Sequence, residues 1–145
     1  MYKPVVFSAH DPLYIRAVDL RFRVLRQPLG LQFTDQELLK DKDDFHYGIL
    51  LNRDLVACLT FSIVDQSLKM RQVAVSPEVQ GQGWGQKLCI WAEQQASSRG
   101  FNHIFCHARM QVLPFYHRLG YRESGPEFME VGIPHRFMEK KVFPD

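Results

Sequence analysis

The sequence lacks the features that would place it in a membrane, fibrous or nucleic-acid-binding class. Its 145 residues contain no run of about 18 apolar residues, no repeat and no low-complexity stretch, so we expect no membrane span and no repetitive fold. The 18 basic and 16 acidic residues leave a net charge of +2, with the signs interspersed. Because nucleic-acid binding usually needs a concentrated basic surface, we expect no nucleic-acid partner.

Cysteine is also scarce. Cys58, Cys89 and Cys106 are odd in number, widely spaced and set in apolar segments, which predicts buried, reduced thiols. The N-terminal residues MYKPVVFSAHDP show no positively charged region followed by an apolar run, so we expect a cytoplasmic protein. The length fits one average domain, and we expect residues 1–145 to form a single one.

The first third of the chain predicts a strand followed by helices. VVFS is a short strand candidate, and Asp11 with Pro12 is a typical helix start. The helix is predicted to continue through LYIRAVDLRFRVLR, and Thr34 begins a shorter one, TDQELLK. The apolar side of the first helix is predicted to contain Ile15, Val18, Phe22 and Leu25.

The remaining chain alternates between strand and helix patterns. Three consecutive antiparallel strands are predicted at 46–51, 54–64 and 68–75, from runs of branched and aromatic residues separated by turns. The later elements are a helix at 86–100, a strand at 101–108, a short helix at 114–119, and strands at 121–124 and 135–142. This order predicts a mixed α/β or α+β fold with a central, largely antiparallel sheet.

A glycine-rich loop is the strongest local signal. The segment QVAVSPEVQGQGWGQKL runs from a predicted strand through Gly81, Gly83 and Gly85 into a predicted helix. Glycine lets the backbone turn sharply, and the N–H groups at the start of a helix attract anions. The pattern therefore predicts a phosphate or pyrophosphate site, with an ordinary glycine turn as the alternative.

Two common phosphate loops do not fit this segment. A dinucleotide loop reads GxGxxG with an acidic residue about twenty positions further on, whereas GQGWG is followed by FNHIFCH, which has no carboxylate. A nucleoside triphosphate loop needs Gly-Lys-Ser/Thr, but Gln86, Lys87 and Leu88 follow Gly85.

The same residues resemble the GNAT superfamily of acetyl-coenzyme A dependent acyltransferases. Gln80, Gly83 and Gly85 match its loop pattern Gln/Arg-x-x-Gly-x-Gly/Ala, and PFYHRLGY at 114–121 resembles its Tyr-x-x-x-Gly-Phe/Tyr segment. The order of predicted elements matches over nearly the whole chain. The tail FMEVGIPHRFMEK is similar to that of an ElaA-like subgroup.

The resemblance implies a sheet that opens between the strand ending near Val75 and the strand FNHIFCH. The pantetheine arm of acetyl-coenzyme A would lie in this opening, where its amides can pair with free backbone groups. The N–H groups of the glycine loop would hold the pyrophosphate. The residues implied to contact the coenzyme are Val73, Ala74, Val75, Gln80, Gly81, Gln82, Gly83, Trp84, Gly85 and Gln86.

The resemblance also implies that Tyr116 is the acid of the reaction. Acyl transfer from a thioester to an amine needs a proton for the departing thiolate and a donor for the oxyanion. A phenol can supply the proton, and the backbone N–H of Val73 is a candidate oxyanion donor. The alternative is that Tyr116 is a packing residue of the core.

The general base is less clear. The strand position where some relatives carry a glutamate is Lys69 here. His135, with Glu127 and Glu130 nearby in the sequence, is the candidate base, because histidine titrates close to neutral pH. A surface histidine is the alternative, and His46 and His107 are weaker candidates.

A metal centre is not predicted. His103 and His107 would share one face of a strand and Cys106 the other, so the three cannot converge on one ion. Arg109 stands where many relatives carry an asparagine, and it either meets a coenzyme phosphate or lies in solvent.

These observations predict an N-acetyltransferase that moves an acetyl group from acetyl-coenzyme A to a primary amine of a small molecule or peptide. The alternative is a non-catalytic acyl-coenzyme A sensor or partner-binding module, which the missing strand glutamate favours. We expect neither a metal nor a membrane partner, and leave open whether the protein forms a homodimer.

Overall fold

The computed structural model describes residues 1–143, in which seven strands form one sheet. The order across the sheet is β1-β2-β3-β4-β5-β7-β6. The strands are β1 (Tyr2–Phe7), β2 (Phe45–Leu51), β3 (Asp54–Val64), β4 (Ser67–Val75), β5 (His103–Arg109), β6 (Arg122–Glu130) and β7 (Ile133–Lys141). All neighbours pair antiparallel except β4 and β5, which run parallel. The predicted mixed, largely antiparallel fold is therefore confirmed.

Helices cover both faces of this sheet. They are α1 (Pro12–Arg21), α2 (Asp35–Lys40), α3 (Trp84–Ser98) and α4 (Leu113–Arg118), and α1 continues into a wider, π-helical segment, Phe22–Arg26. Asp11 caps α1 by accepting from the Leu13 N–H at 2.8 Å, as the sequence predicts. The Thr34 side chain and the carboxylate of Glu37 form a reciprocal cap on α2.

The main core lies between the sheet and the helices α3 and α4. Residues at alternating strand positions, including Phe61, Leu68, Ile104 and Met138, pack there against Leu88 of α3. The smaller second core lies on the other face, where Ala17 and Leu20 of α1 contact Cys58 and Ala74. The thiols of Cys58, Cys89 and Cys106 are buried and free, and burial raises the pKa of Cys58 and of Cys106 to about 12.

The predicted apolar side of α1 is wrong at Ile15, although Leu25 packs against the second core. Ile15 is 74% exposed, whereas Ala17, Leu20 and Arg21 are the buried residues of this helix. Arg21 takes an inward position because its guanidinium donates to the carboxylate of Asp41 at 2.7 Å. The ion pair allows a charged residue to be buried. The inward side of the helix therefore differs from the side that the spacing of apolar residues indicates.

The sheet is open between β4 and β5, and β4 contains a bulge at the same place. Among the described residues, the paired segments are Leu68–Met70 and Ile104–Cys106, and the strands separate beyond them. The register between β3 and β4 also shifts, because Cys58 pairs with Ala74 while Thr60 pairs with Arg71. Gln72 lies in this bulge with φ of 58°, in the left-handed region. The opening predicted beside Val75 is therefore present.

Candidate active site

A cleft of about 710 Å³ fills the opening between β4 and β5 and extends to both faces of the sheet. The glycine loop, the start of α3, and Phe115 and Tyr116 of α4 line it on the face of the main core. Lys69, His107, Arg109 and His135 line it from the opposite face. Two reactants can therefore reach the same point of the sheet from opposite sides.

The start of α3 presents free backbone donors to this cleft. Gly83 precedes the helix with φ of 88°, and no described side chain caps its first turn. The first N–H groups of a helix are unpaired unless capped, and they carry a partial positive charge. Such N–H groups attract an anion, so this helix start is a candidate site for a pyrophosphate.

Gly85 allows α3 to lie close to the opened strand. A Cβ at this position would lie 3.2 Å from Cγ2 of Val75 and 3.4 Å from the ring of Phe115. A larger residue would thus require Val75 or Phe115 to move by a few tenths of an ångström. The third glycine of the loop allows α3 to start directly beside the opening of the sheet.

Most of the loop residues predicted from the sequence lie on the cleft. Those in its lining are Val73, Val75, Gln80, Gly81, Gly83, Trp84, Gly85 and Gln86. Ala74 is outside the lining because its side chain packs into the second core, and Gln82 lies outside it as well, accepting a hydrogen bond from the indole N–H of Trp84 at 3.2 Å. The amide of Gln80 donates to the carbonyl oxygen of Val75 at 3.0 Å and joins the loop to the end of β4.

Tyr116 lies on the cleft and is otherwise surrounded by the core. It is 6% exposed, and its ring packs edge-on against Phe115 and Tyr121, with centroids 5.0 and 5.6 Å away. Burial raises the pKa of Tyr116 well above its usual value. The hydroxyl is therefore protonated at neutral pH, as an unperturbed phenol also is.

His135 reaches the cleft from β7 with a defined orientation. Its Nδ1 lies 2.9 Å from the carbonyl oxygen of Ile133, which can only accept, so Nδ1 carries the hydrogen in the neutral ring and Nε2 has the free lone pair. Nε2 lies 3.7 Å from Oε2 of Glu130. A proton taken up by Nε2 would be stabilised by this carboxylate.

His107 and Glu130 complete a cluster that the sequence analysis missed as a unit. Nδ1 of His107 donates to Oε1 of Glu130 at 3.0 Å, so one carboxylate joins two histidines. The three residues come from β5, β6 and β7, and only the sheet order β5-β7-β6 brings them together. Glu130 and His135 are close in the sequence, but nothing in the local pattern shows that the same carboxylate also reaches His107 on β5.

The other histidines lie elsewhere. His46 is buried beside α1, where its ring nitrogens contact the Thr60 hydroxyl and the Asp41 carbonyl oxygen, and burial lowers its pKa. His103 contacts Ser67 and Glu139 at the far end of β5. Within residues 1–143, no group of three or more His, Cys, Asp or Glu residues is arranged to hold a metal ion. In the same part of the chain, no helix is long and apolar enough to cross a membrane.

Known structures share this fold. An N-acetyltransferase candidate from Lactobacillus plantarum superposes with a TM-score of 0.86 at 26% identity, covering 98% of this chain and 99% of that one. ElaA of Escherichia coli has a similar fold, with a TM-score of 0.84 at 19% identity, covering 97% of this chain and 99% of ElaA. The uncharacterised protein YyaT of Bacillus subtilis is 31% identical over 80 residues, which are 55% of this chain and 54% of YyaT. The chain thus aligns with about half the length of that relative.

The fold is therefore that of the acetyltransferase-like α/β proteins with an opened sheet. Residues 32–142 match the family model for the acetyltransferase (GNAT) domain. The chain belongs to this family, and the resemblance stated from its loop and tyrosine segment is confirmed.

Proposed function

We propose that the protein is an N-acetyltransferase that uses acetyl-coenzyme A and a primary amine of a small molecule or peptide. The observation that carries the proposal is the cleft through the sheet, which connects the uncapped start of α3 to Tyr116 and to the cluster of His107, Glu130 and His135. Family membership supports the acyl donor.

The two sides of the cleft match the two substrates. The pyrophosphate would lie at the N–H groups of Gly81 to Gly85, and the pantetheine arm along the separated end of β4. The bulge at Gln72 leaves the backbone of Gln72 and Val73 without strand partners in the β3 ladder. The Val73 N–H is the donor that we assign to the oxyanion.

In the transfer step, the amine nitrogen bonds to the thioester carbon and the carbon–sulfur bond breaks. We assign the proton of the amine to Nε2 of His135, either directly or through a water molecule, with Glu130 stabilising the charged ring. Tyr116 gives its proton to the departing thiolate. The two protons thus move on opposite faces of the sheet, each next to the bond that forms or breaks.

The test combines a binding and a turnover experiment. We expect isothermal titration to detect acetyl-coenzyme A binding, and we expect release of free thiol above the buffer rate with at least one member of an amine panel. Absence of binding at millimolar coenzyme would refute the proposal. Binding without turnover for any amine would favour the alternative, a non-catalytic acyl-coenzyme A sensor.

A further inference from the structure

The face of the cleft that is left for the amine carries an unbalanced positive charge. Along β5, His107 and Arg109 alternate with the buried residues Cys106 and Ala108, so both side chains lie on the face opposite α3 and α4. His135 pairs directly with Arg109 in the β5–β7 register. Lys69 joins this face from β4, where it pairs with Phe105.

Two of the neighbouring arginines are neutralised within the fold. Arg26 forms a two-point pair with Glu37, with Nη2 and Oε2 2.5 Å apart and Nη1 and Oε1 3.2 Å apart. Arg71 donates to Asp44 at 2.5 Å and to Asp41 at 3.2 Å. Although both arginines line the cleft, their charges already have partners.

Arg109 and Lys69 have no such partner. Nη2 of Arg109 donates to the carbonyl oxygen of Leu25 at 2.9 Å, but within residues 1–143 neither Arg109 nor Lys69 has a carboxylate within 4 Å. Burial lowers the pKa of Lys69 and of Arg109. The nearby carboxylate of Glu130 is shared by two histidines, so this half-buried face has more positive than negative groups.

We propose that the amine substrate carries a carboxylate or phosphate close to its amino group, and that Arg109 binds this anion. The inference rests on the proposed acetyltransferase function and narrows its acceptor to a small amine of this kind. The remaining N–H groups of the guanidinium offer a fork that suits either anion. Lys69 adds a second charge on the same face.

The register places Arg109 and the base candidate His135 next to each other on one face of the sheet. Directly opposed residues of an antiparallel pair have Cα atoms about 4.5–5.5 Å apart, and Arg109 is opposed to the base candidate His135. An acceptor with its anion and its amine only a few bonds apart suits two side chains that start next to each other on one face. A peptide whose first side chain is not acidic has no carboxylate near its amino terminus and lacks this arrangement.

The test compares related amines with and without the anion. Each amino acid of a standard panel is assayed against its amide, and phosphoethanolamine is assayed against ethanolamine, by thiol release from acetyl-coenzyme A. We expect at least one pair in which the anionic member has a kcat/KM roughly tenfold or more above that of its neutral partner. The two kinds of pair distinguish a carboxylate from a phosphate.

Substitution of Arg109 then identifies the residue responsible. Arg109→Gln should raise the KM of the anionic amine roughly tenfold or more, with the neutral amine changed less than about twofold, and Arg109→Lys should keep part of the preference. The matched control is Arg122→Gln, which replaces an exposed arginine outside the cleft and should preserve the preference. Isothermal titration with coenzyme A checks that each variant retains the fold and the donor site.

The outcomes separate this inference from the proposed function. If the protein binds the coenzyme but uses both members of every pair equally, or turns over no amine of the panel, the proposal of an anionic acceptor is overturned. The proposed coenzyme site is not affected by that result. If Arg109→Gln lowers kcat/KM equally for the anionic and the neutral amine of a pair, the proposed role of Arg109 is overturned. Absence of coenzyme binding in the wild-type protein refutes the proposed function itself, and the anionic acceptor with it.

Discussion

Replacing Tyr116 by phenylalanine separates catalysis from packing at this position. Phenylalanine preserves the ring that packs against Phe115 and Tyr121, and removes only the hydroxyl on the cleft. We therefore expect the fold and the coenzyme site to be retained. If the hydroxyl protonates the leaving thiolate, turnover should fall by a factor of about 10² to 10⁴.

The size of this effect distinguishes the two roles. A loss of 10² to 10⁴ in turnover corresponds to about 2.7–5.4 kcal/mol in the activation barrier. A packing role predicts a loss of at most about 1 kcal/mol in the free energy of unfolding, with turnover almost unchanged. The ring stays buried in both cases, so the difference between the predictions comes from the hydroxyl.

Tyr121→Phe is the matched control for this experiment. The Tyr121 hydroxyl donates to Oε2 of Glu93 at 3.0 Å in the buried core, away from the cleft lining. Its loss should cost about 1.5–3 kcal/mol of stability, because the acceptor is charged, and should leave turnover within about threefold of the wild type. Turnover is measured by thiol release, coenzyme affinity by isothermal titration and stability by urea denaturation. Wild-type turnover in Tyr116→Phe would refute the acid role.

Three further predictions test the anion site, the base and the buried ion pair. Gly83→Asp should abolish coenzyme binding in isothermal titration, because its negative charge adds to the strain of a side chain at φ of 88°, whereas Gly83→Asn has the same strain without the charge and should bind the coenzyme more tightly than Gly83→Asp. His135→Gln should lower turnover about 10² to 10⁴-fold at unchanged coenzyme affinity, while His103→Gln at the far end of β5 should not. Asp41→Asn should reduce the free energy of unfolding at pH 7 by about 3–5 kcal/mol, because it leaves the guanidinium of Arg21 buried without its carboxylate. Burial alone would raise the pKa of Asp41, but Arg21, Tyr14 and Arg71 lower it below the usual value. The stability that the carboxylate provides is therefore present above about pH 4 and is lost as the pH falls further. Urea denaturation at pH 7 and pH 3 should show a smaller loss of stability at acid pH in Asp41→Asn than in the wild type.

Most strands and the glycine loop could be predicted because their signals are local, whereas the strand order could not. The branched residues of 54–64 give a strand with the same bounds as the observed Asp54–Val64, and the loop lies where Gly81, Gly83 and Gly85 interrupt the apolar pattern. Each signal depends on neighbours within a few positions. The chain needed no distant contact to specify these elements.

The bulge in β4 and the inward side of α1 depend on distant contacts. Gln72 has φ of 58° without the glycine that usually marks such a conformation, because the shifted register with β3 fixes it. Arg21 is buried because it pairs with Asp41, which lies twenty positions further along the chain. In both places the partner, and not the local pattern, determines the conformation.

The position of the carboxylate bears on the choice between an enzyme and a binding module. Lys69 replaces a strand glutamate that some relatives carry, which by itself argues against catalysis. Glu130, however, comes from β6 to the same cleft and joins His107 to His135. The Ile133 carbonyl orients the neutral His135 ring, and Glu130 lies beside Nε2, where a carboxylate stabilises the proton that this nitrogen takes up. Lys69 on β4 is then available to bind the anion of the acceptor. The residue that weakens the sequence argument for an enzyme thus supports the proposed substrate class.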